Sequence, residues 1–211
     1  MRVYHFLRAE HALDDLKRGR IKLSEVDKLN DPFELWCSAQ ADRQVRAVLR
    51  KWKKEMAGEV GILCFSKGWR NPVLWSHYAD SHRGICLGFD VIEDRLLRPV
   101  RYVKQRTPFT LPPAKEAISE LLFTKYWDWS YEQEWRGWFN LGDYSDGNYF
   151  YRFDERVQLR EVIRGPLCSV PTAVINKAIK GCGTNVSVVK ARLAFRSFEI
   201  VEERGGFARL R

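Results

Sequence analysis

No window of this 211-residue chain approaches ~20 uninterrupted apolar residues, so a membrane-spanning helix is not expected. Residues 1–11 alternate apolar side chains with Arg, Glu and His and hold no apolar h-region. No secretory leader is therefore expected, and the expected location is the cytoplasm. The five cysteines, at 37, 64, 86, 168 and 182, form no C-x-x-C pair and no recurring spacing. Free, mostly buried thiols are expected, and a structural zinc site is not. No Gly/Ser-rich or Pro-rich linker divides the chain, and repeats and low-complexity tracts are lacking, so a single domain over 1–211 is expected.

What is present excludes disorder: 45% of the residues are apolar and 13% aromatic, with eight tryptophans. Thirty-six Lys and Arg against 27 Asp and Glu leave a formal charge of +9. That excess fits a nucleic-acid partner, through neutralisation of its phosphates, or simply a soluble surface, and no membrane partner is expected. Its densest cluster is Arg43, Arg46, Arg50, Lys51, Lys53 and Lys54, on a segment where Val45, Val48, Leu49, Trp52 and Met56 recur at helical spacing. The pattern predicts an amphipathic helix over about 40–57, whose basic outer face is solvated or meets an acidic partner.

Elsewhere, strands are expected at 3–7, 20–24, 60–66, 84–91 and 100–104, and helices at 9–18, 73–80, 114–127 and 171–179. In the last turn of the 114–127 helix, Lys125 continues the stripe of Ala117, Ile118, Leu121 and Leu122. Gly19 suits the end of the first helix. At 30–34, Pro32 forces Asp31 out of the α region, and Asn30 is placed to close an Asx turn. The segment 131–140 changes to period two, which sets Glu132, Glu134, Arg136 and Trp138 on one face of a strand. A turn-rich loop at 143–148, strands at 149–153 and 157–164, and one or two closing strands over 186–201 complete an α+β reading, with mixed or antiparallel sheets flanked by helices.

Three clusters carry possible chemistry. They are His5 with Arg8 beyond it, Ser66 with Trp75, His77 and Tyr78, and the run Glu132-x-Glu134-x-Arg136. Singly, each also fits a structural role: an inter-strand histidine, a loop-capping serine, an aromatic core stripe, a same-face ion pair. Together they ask for more, because two carboxylates and a guanidinium on one strand face are unfavourable to bury without a polar partner or ligand.

The order Asn30-Asp31-Pro32-Phe33-Glu34, Cys64-Phe65-Ser66, Trp75-Ser76-His77-Tyr78-Ala79, His82-x-Gly84, Gly88-Phe89-Asp90, Lys125-x-Trp127 and Tyr131-Glu132-x-Glu134-Trp135-Arg136 resembles the bacterial family called domain of unknown function 2971. The resemblance spans about 4–165 and implies a setting among phage-defence and other conflict genes. More distantly, Tyr4-His5-Phe6, the helix ending at Gly19 and the strand ending at Ser24 are similar to the start of small ADP-ribosyltransferase-like toxins. That second resemblance implies a split sheet and an NAD site. The site would be built from His5 or Arg8, Ser66 with Tyr78 nearby, and Glu134 with Glu132. It further implies cleavage of the nicotinamide–ribose bond through an oxocarbenium-like transition state. Glu134 would stabilise the charge, Glu132 would orient or deprotonate the acceptor, His5 would bond the ribose, and Ser66 would hold the dinucleotide. Trp75 or Tyr78 would stack on nicotinamide, and Arg136 or Arg8 would face the pyrophosphate. The acceptor would be a nucleic acid or a protein side chain.

Two other classes stay open. A metal-dependent nuclease would gather His77, Asp80, Glu132 and Glu134 around a divalent ion, with the basic helix on phosphate. A non-catalytic sensor or interaction module would pair the charged face internally.

Overall fold

Short β-type runs interleaved with amphipathic stretches give an α+β chain. The computed structural model describes residues 1–92, 95–113, 115–182 and 185–203, the side chains of 115 and 116 aside. In chain order the strands are β1 (Arg2–Leu7), β2 (Arg20–Lys22), β3 (Ser24–Glu25), β4 (Val60–Ser66), β5 (Ile85–Val91), β6 (Arg98–Pro99), β7 (Arg101–Val103), β8 (Thr124–Tyr126), β9 (Glu134–Asn140), β10 (Asp143–Ser145), β11 (Asn148–Arg152), β12 (Val157–Arg164), β13 (Ser187–Leu193) and β14 (Ile200–Glu202). The helices are α1 (Ala9–Arg18), α2 (Arg43–Ala57), α3 (Pro72–Tyr78), α4 (Lys115–Leu122) and α5 (Thr172–Ala178). These elements fall into two compact units. One comprises Met1–Gly19, Gly68–Val91 and the chain from Phe153 onward; the other comprises Arg20–Lys67 and Ile92–Arg152.

In the first unit the strand order is β14-β13-β12-β5-β1. Only β12 and β13 run parallel, so the sheet is mixed. β5 is apolar and buried from Ile85 through Phe89, the signature of a strand covered on both faces. α1 buries Ala12 and Leu16 and ends at Gly19, whose φ of 61° lets its N–H donate to the Asp15 carbonyl. α3 begins with Pro72 in its first turn and the Asn71 side chain accepting from the Val73 N–H. Beyond α3, Asp80, Ser81 and His82 all lie at positive φ, a left-handed run that turns the chain sharply toward β5. At Gly84, a Cβ would stand 2.1 Å from the Leu7 carbonyl oxygen, so only glycine fits there.

In the second unit β4 pairs antiparallel with β3 and with β9, and β9 with β6. A three-stranded sheet of order β10-β11-β2 and the parallel pair β7-β8 accompany them. α2 matches the expected amphipathic helix from Arg43, its end capped by Asp42 accepting from the Gln44 N–H. Its stripe packs Val45 and Leu49 with Leu121, while Trp52 and Met56 reach Val26, Leu35 and Ile62. Val48, at the margin of the stripe, is exposed. In the turn before α2, the Asp31 side chain accepts from the Phe33 N–H, at 2.9 Å. Leu35 follows at φ 64°, and its buried side chain joins Val26 and Ile62. Leucine in that conformation costs ~1–2 kcal/mol, which its burial, worth ~1.5–3 kcal/mol, offsets.

Three segments depart from the sequence expectation. The helix over 114–127 stops at Leu122, because the run from Phe123 to Trp127 is rich in aromatic and β-branched residues, and β8 forms instead. A 3-10 segment, Trp127–Glu132, follows. The period-two strand begins at Glu134, since Gln133 at φ 45° breaks the extended backbone, so Glu132 is not on the strand. The loop at 143–148 is a hairpin, with Asp146 and Gly147 both at positive φ between β10 and β11. All five cysteines are free thiols. Among the described residues no helix is long and apolar enough to cross a membrane.

Candidate functional site

A cluster of charges inside the second unit centres on Arg136 of β9. Register places Ser66 opposite Glu134 and Cys64 opposite Arg136 across the β4–β9 ladder. Glu134 and Arg136, two residues apart, therefore share one face and are both buried. The Arg136 guanidinium meets Glu134 through two bonds, Nε to Oε1 at 2.8 Å and Nη2 to Oε2 at 3.0 Å. Nη2 also bonds Glu34, and Nη1 donates to the Leu122 carbonyl at 3.0 Å. Lys125 supplies the second cation. Its Nζ stands 2.7 Å from Glu132, 3.3 Å from Glu134 and 3.6 Å from Glu34. It also lies 4.9 Å from the centre of the Trp129 ring.

Three carboxylates and two cations thus share one water-poor site. Burial alone would raise the Glu134 pKa, but the Arg136 and Lys125 charges and the Arg136 bonds outweigh it and hold the group down at about 2. Burial works against the charge of Lys125 as well, and Glu134, Glu34 and Glu132 together overcome it, so its pKa is raised. The Cys64 thiol is pushed well above its ordinary value, first by burial and then by Glu134, and it stays protonated beside that carboxylate. Two further bonds fix the backbone here. The Ser66 hydroxyl donates to the Glu132 carbonyl at 2.7 Å, and the Glu134 N–H donates to the Tyr102 hydroxyl at 2.8 Å.

Of the residues singled out from sequence, Ser66, Glu132, Glu134 and Arg136 come together here. Glu132 arrives from the 3-10 segment rather than from the strand. The others belong to the first unit. His5 lies on β1 opposite Leu87 and is partly exposed. Arg8 is exposed just before α1. Trp75 is fully buried, its indole N–H donating to the Trp69 carbonyl at 2.6 Å and its ring 5.2 Å from Phe6, edge to face. Tyr78 is partly exposed and meets His77 edge to face; His77 and Asp80 are exposed. Among the described residues no group of three or more His, Cys, Asp or Glu is arranged to hold a metal ion.

Glu34, Tyr102 and Lys125 belong to the site without being among the candidates that the sequence singles out. For Lys125 a signal was visible, since a lysine continuing an apolar stripe needs a buried counter-charge. Glu34 carried a fainter one, as a carboxylate between Phe33 and Leu35.

No protein-family model, curated protein or solved structure matches the chain.

Proposed function

We propose that the chain is an ADP-ribosyltransferase-like enzyme acting on NAD, in the cytoplasm and in the phage-defence setting implied by its resemblance to the domain of unknown function 2971 family. The observation that carries this reading is the cross-strand pairing of Ser66 with Glu134. A strand serine and a late glutamate are two of the three groups from which the superfamily builds its NAD site, and they are far apart in sequence. The chemistry breaks the bond between ribose C1′ and the nicotinamide nitrogen, and the bonding pair leaves with nicotinamide. The acceptor nucleophile then bonds C1′ and gives up its proton. A permanently ionised carboxylate suits the oxocarbenium-like charge that develops at C1′. The lowered Glu134 pKa keeps that group ionised across the physiological range. Glu132 orients the acceptor, and Ser66 holds the dinucleotide.

A second reading, a non-catalytic interaction module, is favoured by the same carboxylate's partners. Both Glu134 oxygens are engaged by Arg136 and Lys125. Those cations cancel part of the field that a substrate cation would feel.

Calorimetry with NAD and an assay of nicotinamide release separate the two readings. The transferase reading expects binding at millimolar NAD or below, and release that is lost in Glu134→Gln and in Ser66→Ala. Because Glu134 carries a buried charge, Ser66→Ala, which removes only a hydroxyl, serves as the independent variant, with melting temperatures confirming that both are folded. No binding at millimolar NAD, or wild-type release in both variants, selects the interaction module.

A further inference from the structure

We propose that the second unit carries a binding site for single-stranded nucleic acid at a cavity walled by Phe33, Trp36 and Tyr126 and flanked by Lys104 and Arg106. The proposal stands apart from the NAD reading, and its test reads binding rather than turnover.

The cavity has a volume of about 250 Å³. That is below the ~300–1,000 Å³ of sites that enclose a whole small molecule, so it suits one ring-sized group with the rest of its ligand outside. Its walls are aromatic, and among the described residues no carboxylate lines it. Phe33 and Tyr126 are about half exposed, at 53% and 43%, so part of each ring is accessible from solvent. Trp127 next to Tyr126 is 45% exposed.

Each cation nearby stands beside a ring. Arg106 lies 5.3 Å from the Phe33 centroid, Lys104 5.0 Å from Trp127, and Lys53 5.8 Å from Trp36. Alternating rings and cations match a polymer that alternates bases and phosphates. Lys53 belongs to α2, so the basic path continues from the cavity onto the exposed Arg50, Lys51 and Lys54. The turn built by Asp31 positions the deepest contrast: Phe33 is turned outward to the cavity, while the next residue, Glu34, is buried among the charges. A paired duplex keeps its base faces stacked and cannot offer one to such a cavity, which points to single strands.

Fluorescence anisotropy with a labelled single strand of ~10 nucleotides tests the site. Binding that weakens as salt rises is expected. Phe33→Ala and Tyr126→Ala should each weaken it about tenfold, with melting temperature unchanged because both side chains are half exposed. Lys104→Ala should lower the slope of log affinity against log salt by about 0.7. No binding overturns the proposal, as does equal affinity for the matching duplex. Wild-type affinity in both aromatic variants assigns any binding to the basic face of α2 and overturns it too. Adenosine monophosphate binding as tightly as the strand would make this a mononucleotide pocket, not a strand site.

Discussion

β5 in the first unit and β9 in the second are both seven residues long, and both take residues out of water, all but Asp90 in β5 and Glu134, Arg136 and Gly137 in β9. β5 reaches that state with Ile85, Cys86, Leu87 and Phe89, side chains that need nothing specific opposite them. β9 reaches it with Glu134 and Arg136, which must find charges of opposite sign in Lys125 and Glu34. In the apolar strand the stabilisation is spread over many weak contacts, each roughly proportional to area. In the charged strand it depends on a few pairs whose desolvation cost is large and whose gain is lost if one partner goes. A mutation at β9 should therefore behave as part of a set, whereas one at β5 should behave alone.

The largest effect tests that contrast directly. Arg136→Ala leaves Glu134 and Glu34 buried without their guanidinium and should cost about 3–5 kcal/mol in urea unfolding. Replacing Glu34, Lys125, Glu132, Glu134 and Arg136 together by apolar residues of similar volume should cost far less, or even stabilise. If the combined variant simply sums the single losses, the set behaviour is wrong. Next in size, Leu87→Ala in β5 should cost about 2–5 kcal/mol and add independently to any surface change far from it.

Acid gives the third contrast. The Glu134 pKa is lowered from 4.5 to about 2 in the folded chain. Its contribution is therefore complete above the unfolded value and is lost as pH falls from about 4.5 through about 2. Tryptophan fluorescence and urea midpoints measured across that window should show falling stability, and Glu134→Gln should flatten the loss. An unchanged profile in the variant would mean that other carboxylates govern acid unfolding. The smallest effect belongs to the first unit's surface, where Arg160 meets Asp90 at 3.4 Å with both side chains about a third exposed. Arg160→Ala should change stability by less than about 1 kcal/mol, and any loss should shrink in high salt.

Much of the fold is legible in sequence where one period dominates. α1 and its terminal Gly19, β4, β5 and β12 lie where their apolar patterns put them. α2 starts at Arg43, a few residues after its expected start, because Asp42 caps it. Errors gather where local signals compete. Residues 123–127 read as helix by the spacing of their predecessors, yet their own aromatic and β-branched side chains and a partner strand favour β8. At Gln133 nothing in the residue type announces a positive φ. The pattern did show that Glu134 and Arg136 share a face and need partners, but it could not name them. Glu34 lies 102 positions from Arg136 in sequence, and only the folded chain brings the two together.

The charge cluster also bears on how this chain can change over generations. Its five members come from three separated stretches, around 34, 125 and 132–136. A lone replacement strands a buried charge, so the viable routes are exchanges of like for like or near-simultaneous loss of several members. Among descendants of this sequence the five positions should be inherited as a block. A chain that keeps Arg136 while losing both Glu34 and Glu134 should be rare.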